Sequence, residues 1–536
     1  MCRQDIVMQH GQQHYEGKPA RVEDEPVRRS RKHGGVLFFL VGGIAVWFHL
    51  FLLGTQLFVS LPSYCFKHPC GWLHVWMNSG SGVNCEETCV GLLTSWTRRG
   101  WTTCGKCWQC FHRKEELKSA VNHTMKDAVS AKATYADTYG WPMEKWCFTV
   151  TDLSQLFEPT PFSYESVILP YNIDSWNVSN VKNMSRMFAG VSYLNSELCH
   201  WDTSNVMDMS GMFCNVKRFD GDLGSWNVSN VRDMHSMFLW TGSFNVDLSA
   251  WNTSRVTDMS MLLGGTHFLS IDVGRWNVSR VQNMYGMLVG ASQLNPDLSN
   301  WDTSRVTNMS TMFASATAFD GDIRAWTVSN VTDMKEMFWG ADNFNSDLLD
   351  WDTSRVTDMG KMFLAALRFN KDLYSWDTSR VTSMATMFGR AIRFNGDISL
   401  WNVSNVREMN HMFSNTGRFN SYLSDWDTSR VTRMSFMFES ASKFNQDISS
   451  WNVSKLQTIS YMFTGARSYN RSLCEWGRQM FERSVVVTDA FKSTSCPNQT
   501  TPNLLRDPAG PFCFNCGSGK GDKQIRAQIS AGLAHH

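Results

Sequence analysis

The sequence predicts a repeat solenoid, and three observations predict it. Tryptophan recurs at 176, 201, 226, 251, 276, 301, 326, 351, 376, 401, 426, 451 and 476, every interval being 25 residues. Within each period the same columns are apolar, and the same columns carry short polar side chains. The excess of the chain's 23 Trp and 30 Met falls largely inside these periods. Self-similarity at a fixed period of this length is the signature of stacked units that bury a shared core.

In chain order, residues 1–35 read as a cytoplasmic basic tail, ending in Arg28, Arg29, Arg31 and Lys32. Residues 36–61 contain no Lys, Arg, Asp or Glu and match the roughly 20 apolar residues that span a bilayer. The run is longer than a cleaved signal's apolar region, so it reads as one transmembrane signal-anchor helix. The first charge after it is Lys67. By the positive-inside rule the N-terminus is cytoplasmic and the remainder lies outside, a type II single-pass topology.

Residues 62–147 hold eight cysteines, and read as a disulfide segment or as the N-cap of the array. Cys104-Gly-Lys-Cys107-Trp-Gln-Cys110 also fits a zinc site or a redox pair, although no βαβ pattern surrounds it. The solenoid covers 148–496, with degenerate half-repeats at Val150–Phe157 and Val487–Phe491. Atypical terminal repeats are expected because each must close an open core end. Cys474, Cys496, Cys513 and Cys516 are placed to staple the C-cap. Residues 497–536 read as a tail, disordered in part.

Each repeat approximates F-N-x-D-L-S-x-W-N/D-T/V-S-N/R-V-T-D-M-S-x-M-F-x-x-A. Val stands five residues after Trp, Met at eight and eleven, and Phe at twelve, as in Met434, Met437 and Phe438. Met at i and i+3 followed by Phe predicts one or two helical turns, with the preceding Asp, as at Asp208, for an N-cap. The D-L-S-x-W stretch predicts a short parallel strand. The methionine columns read as packing rather than as copper ligands, since they stand beside Phe and Val.

Two polar columns have competing readings. Asp four residues before Trp, as in Asp222 and Asp322, forms either a calcium ladder or a cap on its own turn. The residue after Trp alternates between Asn and Asp. Asn there creates N-x-S/T sequons at Asn177, Asn227, Asn252, Asn277, Asn402 and Asn452, which join Asn122 and Asn498 as candidate glycosylation sites. Asp202, Asp302, Asp352, Asp377 and Asp427 fill the same column, so its common requirement is a short acceptor in a turn.

The string W-N-V-S-N-V-T-D-M-S-x-M-F resembles the BspA-type leucine-rich-repeat surface proteins, and every repeat from Trp176 onward carries a version of it. The resemblance implies a leucine-rich-repeat-like right-handed coil, surface display, and adhesive or host-contact roles.

The near-equal counts of 50 Lys+Arg and 49 Asp+Glu leave no nucleic-acid footprint. The sequence has no G-x-S-x-G, Walker A or H-E-x-x-H motif, and implies no enzyme, cofactor or metal. The expected function is a membrane-anchored surface protein whose solenoid binds an extracellular protein or glycan. The alternatives are a lumenal scaffold of the secretory pathway and a membrane-tethered thiol oxidoreductase using Cys104 and Cys107. Specificity belongs to outward columns that differ between repeats. Four residues after Trp, Arg255, Arg280 and Arg305 stand in consecutive repeats and form a candidate ligand strip, since guanidinium forks pair with planar anions.

Overall fold

A computed structural model describes residues 83–85 and 107–516, apart from 160–167, 195, 220, 243–246, 267–270, 481–483 and 505–509. The chain divides into two compact units, and all described residues belong to the second, Trp72–His536. The expected membrane span at 36–61 lies outside the described residues, as do Cys104 and the last twenty residues of the tail. Among the described residues, no helix is long and apolar enough to cross a membrane.

The array is a repeat solenoid. Successive coils are joined by a continuous column of parallel bridges, running Asp152↔Asn183↔Asp208↔Asp233↔Asp258↔Asn283 and onward to Thr458↔Val486. The column extends beyond the Trp repeats at both ends, so the degenerate half-repeats form coils of their own. A second, shorter ladder pairs β3 (Ile168–Leu169), β4 (Tyr193–Leu194) and β5 (Arg218–Phe219) in parallel.

The coil after Trp326 shows why this sequence closes a coil. Met334, Glu336, Phe338 and Gly340 donate their backbone N–H groups to Asp358, Gly360, Met362 and Leu364 of the next coil, at 2.8–3.3 Å. The intervening N–H groups turn back: Met337 donates to Met334, Trp339 to Glu336 and Ala341 to Phe338, at 3.1–3.2 Å. Glu336 and Gly340 have φ of +59° and +66°, the left-handed third position of a type II turn.

Both secondary-structure expectations for the repeat are thereby corrected. The Met-x-x-Met-Phe stretch is a chain of turns, because its bonds run i→i−3 and between coils, never i→i−4 as a helix requires. The Asp before the first Met is no N-cap: Asp333 accepts from the N–H of Lys335 at 2.9 Å and is itself the bridging residue. The D-L-S-x-W stretch is a turn instead of a strand, with the N–H of Trp326 donated to Ile323 at 3.1 Å.

The core is a set of ladders. Phe338 is fully buried and stacks on Phe313 and Phe363, each at 5.5 Å, and on Phe344 of its own coil at 3.9 Å. Trp351 stacks on Trp376 at 6.3 Å. The indoles from Trp201 to Trp451 also donate across coils, as Trp351 Nε1 does to the Ile323 carbonyl at 3.2 Å. Tryptophan therefore fills the core and satisfies a buried carbonyl with the same ring. An asparagine ladder adds to this: Asn345, Asn370 and Asn395 each accept the N–H of Asn370, Asn395 and Asn420 in turn, at 2.7–2.9 Å.

Folded caps close both ends. At the N-terminal end, β1 (Val83–Cys85) pairs antiparallel with β2 (Cys107–Gln109), and α1 (Lys114–Lys126) packs beside α2 (Ala128–Tyr139). Asp127 starts α2 by accepting the N–H groups of Val129 and Ser130 at 3.1 Å. A Cys110–Cys147 disulfide ties this cap together, and Phe148 meets Trp176 edge-on. At the C-terminal end, α3 (Cys474–Met480) carries Trp476 over the last coil. Disulfides Cys474–Cys516 and Cys496–Cys513 staple this cap, as the four cysteines predict. The cap runs on to Cys516, past the boundary expected at 496, with Phe512 fully buried.

Candidate ligand-binding columns

With the inward columns committed to packing, recognition falls to the outward ones. The column after Trp is built as a turn. The side-chain oxygens of Asn177, Asn227, Asn252, Asn277, Asn402 and Asn452 accept the N–H of the Ser two residues on, at 3.0–3.2 Å. Asp302, Asp352 and Asp427 make the same bond to Ser304, Ser354 and Ser429 at 3.0–3.1 Å. Hydrogen bonds from those serines hold the three carboxyls below the ordinary carboxylate range, with the nearby Arg adding to the effect. The interchange of Asn and Asp is thus a turn requirement. All six of these sequon Asn are exposed, as is Asn122; Asn498 is half-buried and donates to Asn515.

The Asp four residues before Trp behaves likewise. Asp222, Asp247, Asp297 and Asp447 accept the N–H two residues on, at 2.8–3.0 Å. That geometry favours the turn over a calcium ladder.

Arg255, Arg280 and Arg305 are exposed and sit at one column position of three consecutive coils. Arg255 is tethered by a hydrogen bond from Nη1 to Asn230 Oδ1. Arg355 and Arg430 are held in the same way by Asn330 and Asn405. Among the described residues, Arg280 and Arg305 have no hydrogen-bond or ion-pair partner. Asp302 makes no ion pair with Arg305 within 4.0 Å, because its carboxylate is turned to Ser304. The strip's freest cations are therefore Arg280 and Arg305.

Sequence reasoning passed over two surface features. His411, Phe436 and Tyr461 stack on consecutive coils, at 4.5 and 4.8 Å between ring centres. Burial pushes His411 below the ordinary imidazole range. Among the described residues, one group of metal-ligating side chains converges, Asp174, Cys199 and His200. Reading the sequence in 25-residue rows would have found both, since each is a column feature. Cys107 stands in β2, and the third cysteine of its run, Cys110, is committed to Cys147.

No curated protein matches the chain. The family model described as "Mycoplasma protein of unknown function, DUF285" matches it four times, over residues 151–270, 241–347, 321–419 and 396–503. These overlapping matches run over the same coils that the bridge column and aromatic ladders define, and they take in more than half of the 536 residues. The chain therefore belongs to this repeat family.

Proposed function

We propose that the protein is a membrane-anchored surface protein whose solenoid recognises another macromolecule, with anionic glycans as the ligand class for the arginine column. The observation that carries this reading is the division of labour within the repeat. Inward columns repeat nearly unchanged, while one exposed column sets Arg255, Arg280 and Arg305 on adjacent coils. Evenly spaced guanidinium groups suit a polymer of sulfates or carboxylates. The right-handed, leucine-rich-repeat-like sense of the coil belongs to the same reading, because parallel crossovers take that hand in nearly all cases. The uncharged run at 36–61 behind its basic cluster supports the anchor and the outward display.

Elution from a heparin column tests the ligand class. Arg280→Ala/Arg305→Ala is expected to elute at lower salt than the parent, and Arg255→Ala/Arg280→Ala to elute earlier by a smaller margin. Unchanged elution of both variants would remove the arginine column from the reading. Protease treatment of intact cells tests display, since repeats that resist digestion until the membrane is opened place the protein in an internal compartment.

A further inference from the structure

Asp174, Cys199 and His200 come from two adjacent coils. Asp174 and Cys199 stand in the same column, two residues before Trp176 and Trp201, and His200 follows Cys199. Their ligand atoms all lie within 4.8 Å of one another. Cys199 keeps its thiol, with Sγ 3.5 Å from His200 Nδ1. Asp174 Oδ2 is hydrogen-bonded to the same ring nitrogen. We propose that these three side chains form a zinc site, with a thiolate, an imidazole nitrogen and a carboxylate as ligands and the fourth position open to water.

Three observations carry the proposal. The first is geometry. Tetrahedral zinc with Zn–S about 2.3 Å and Zn–N about 2.0 Å separates sulfur from nitrogen by about 3.6 Å, and the observed separation is 3.5 Å. Sulfur and carboxylate oxygen both address Nδ1, so the three donors converge on one point. A Cys-His-Asp relay would instead use both ring nitrogens, one for each partner.

The second is support around the ligands. Asp174 Oδ1 accepts the backbone N–H of His200 at 3.1 Å, which aims Oδ2 at the ring. The N–H of Asp174 is held by Asn172 Oδ1 at 3.0 Å, and the Cys199 carbonyl accepts from Ser225 Oγ at 2.8 Å. Outer bonds of this kind fix ligand orientation in metal sites. The Asp174 side chain is 15% exposed and that of His200 is 78% exposed, leaving an outer side for water.

The third is departure from the repeat. The next three coils place Gly224-Ser225, Ser249-Ala250 and Gly274-Arg275 where this coil has Cys199-His200. The fold therefore requires neither residue. On zinc entry the Cys199 thiol releases its proton to solvent, and the imidazole places its single proton on Nε2, leaving Nδ1 to the metal.

The test uses the full chain, purified without reductant, and does not depend on the ligand of the arginine column. Zinc is titrated against a chromogenic chelator, and cobalt serves as a spectroscopic substitute. The wild type is expected to bind zinc and to show a thiolate-to-cobalt charge-transfer band that Cys199→Ser abolishes. Asp174→Asn, which keeps an oxygen for the His200 N–H, is expected to weaken zinc binding by about tenfold or more. His200→Ala alters a largely exposed side chain, so its loss of zinc binding is separable from misfolding. Bound zinc should also slow alkylation of Cys199. Absence of the band in the wild type overturns the proposal. So does a zinc affinity that Cys199→Ser and His200→Ala leave unchanged, because the metal then sits on other cysteines.

Discussion

Tyr469 shows how far one column constrains one residue. It occupies the Phe position seven residues before Trp476, is fully buried, and stacks on Phe444 at 5.8 Å. Its hydroxyl is buried, without a hydrogen-bond partner among the described residues, and burial pushes the phenol well above its ordinary range. An unsatisfied buried hydroxyl costs about 1–3 kcal/mol. Tyr469→Phe is therefore expected to stabilise the C-terminal coils by about 1 kcal/mol, as read from denaturant unfolding, and a loss of stability would show that the hydroxyl has a partner. Asp233 makes a second case. It is half-buried in the bridge column between Asp208 and Asp258, and accepts from the N–H of His235 at 2.9 Å. Burial raises its carboxyl above the ordinary range, and the two flanking carboxylates add to this. A raised acid pKa means that the residue's contribution is full below the unfolded value and is lost as pH rises through the folded one. Asn283 already solves the problem in the same column, where its amide donates to Asp258 at 3.0 Å. Asp233→Asn should thus raise stability near neutral pH by about 0.5 kcal/mol, a small figure because solvent still screens the site. No gain is expected where the carboxyl is protonated. A gain equal at both pH values would assign it to packing rather than charge.

At the scale of the element, the coil is the unit and its length is the constraint. Along the interior coils each kind of inter-coil bond spans a fixed number of positions, as with the Phe338 N–H to Met362 and the Trp351 indole to Ile323. Removing residues 326–350 deletes one full period and joins equivalent columns. The shortened array should fold with a midpoint lowered by about a few degrees, because each coil touches only its neighbours. Removing five residues from the same stretch shifts every later column, and should abolish cooperative unfolding of the array. Equal damage from the two deletions, measured by circular dichroism melting, would mean that register does not govern stability. The turns within each coil also tolerate strain repeatedly. Lys361, Thr386, Arg390 and His411 all hold left-handed backbone, at a cost of about 1 kcal/mol or more each, and the inter-coil bonds of the same residues hold them there.

At the scale of the whole molecule, the ends decide how the array frays. The interior coils are closed by neighbours on both sides, but the last coil relies on α3 and on two disulfides. The Cys474–Cys516 link closes a loop with a sequence separation of 42, a constraint of about 2–4 kcal/mol. In a solenoid such a loss stays local. Cys474→Ser/Cys516→Ser is expected to lower hydrogen-exchange protection around Phe463 and Phe491 while leaving the coil of Phe338 unchanged. Uniform loss along the array would show that it unfolds as one unit. The period, the inward columns, the turn after Trp and the C-cap staple were all legible in the sequence, because each repeats at fixed spacing or draws on cysteine chemistry. The sequence by itself determined that this part of the chain is a stack of like coils with Met, Phe, Val and Trp inside. Only the tertiary structure decided that the methionine stretch is a series of turns, since i, i+3 spacing fits a helix and consecutive i→i−3 turns equally well. The choice falls to turns because alternate N–H groups find acceptors on the next coil. Tertiary structure also decided which polar residues meet. Asp174 and Cys199 are remote in sequence and become neighbours only when one coil is laid on another, and among the described residues Arg280 is left without a partner because Asp and Asn spend their oxygens on the turns beside it.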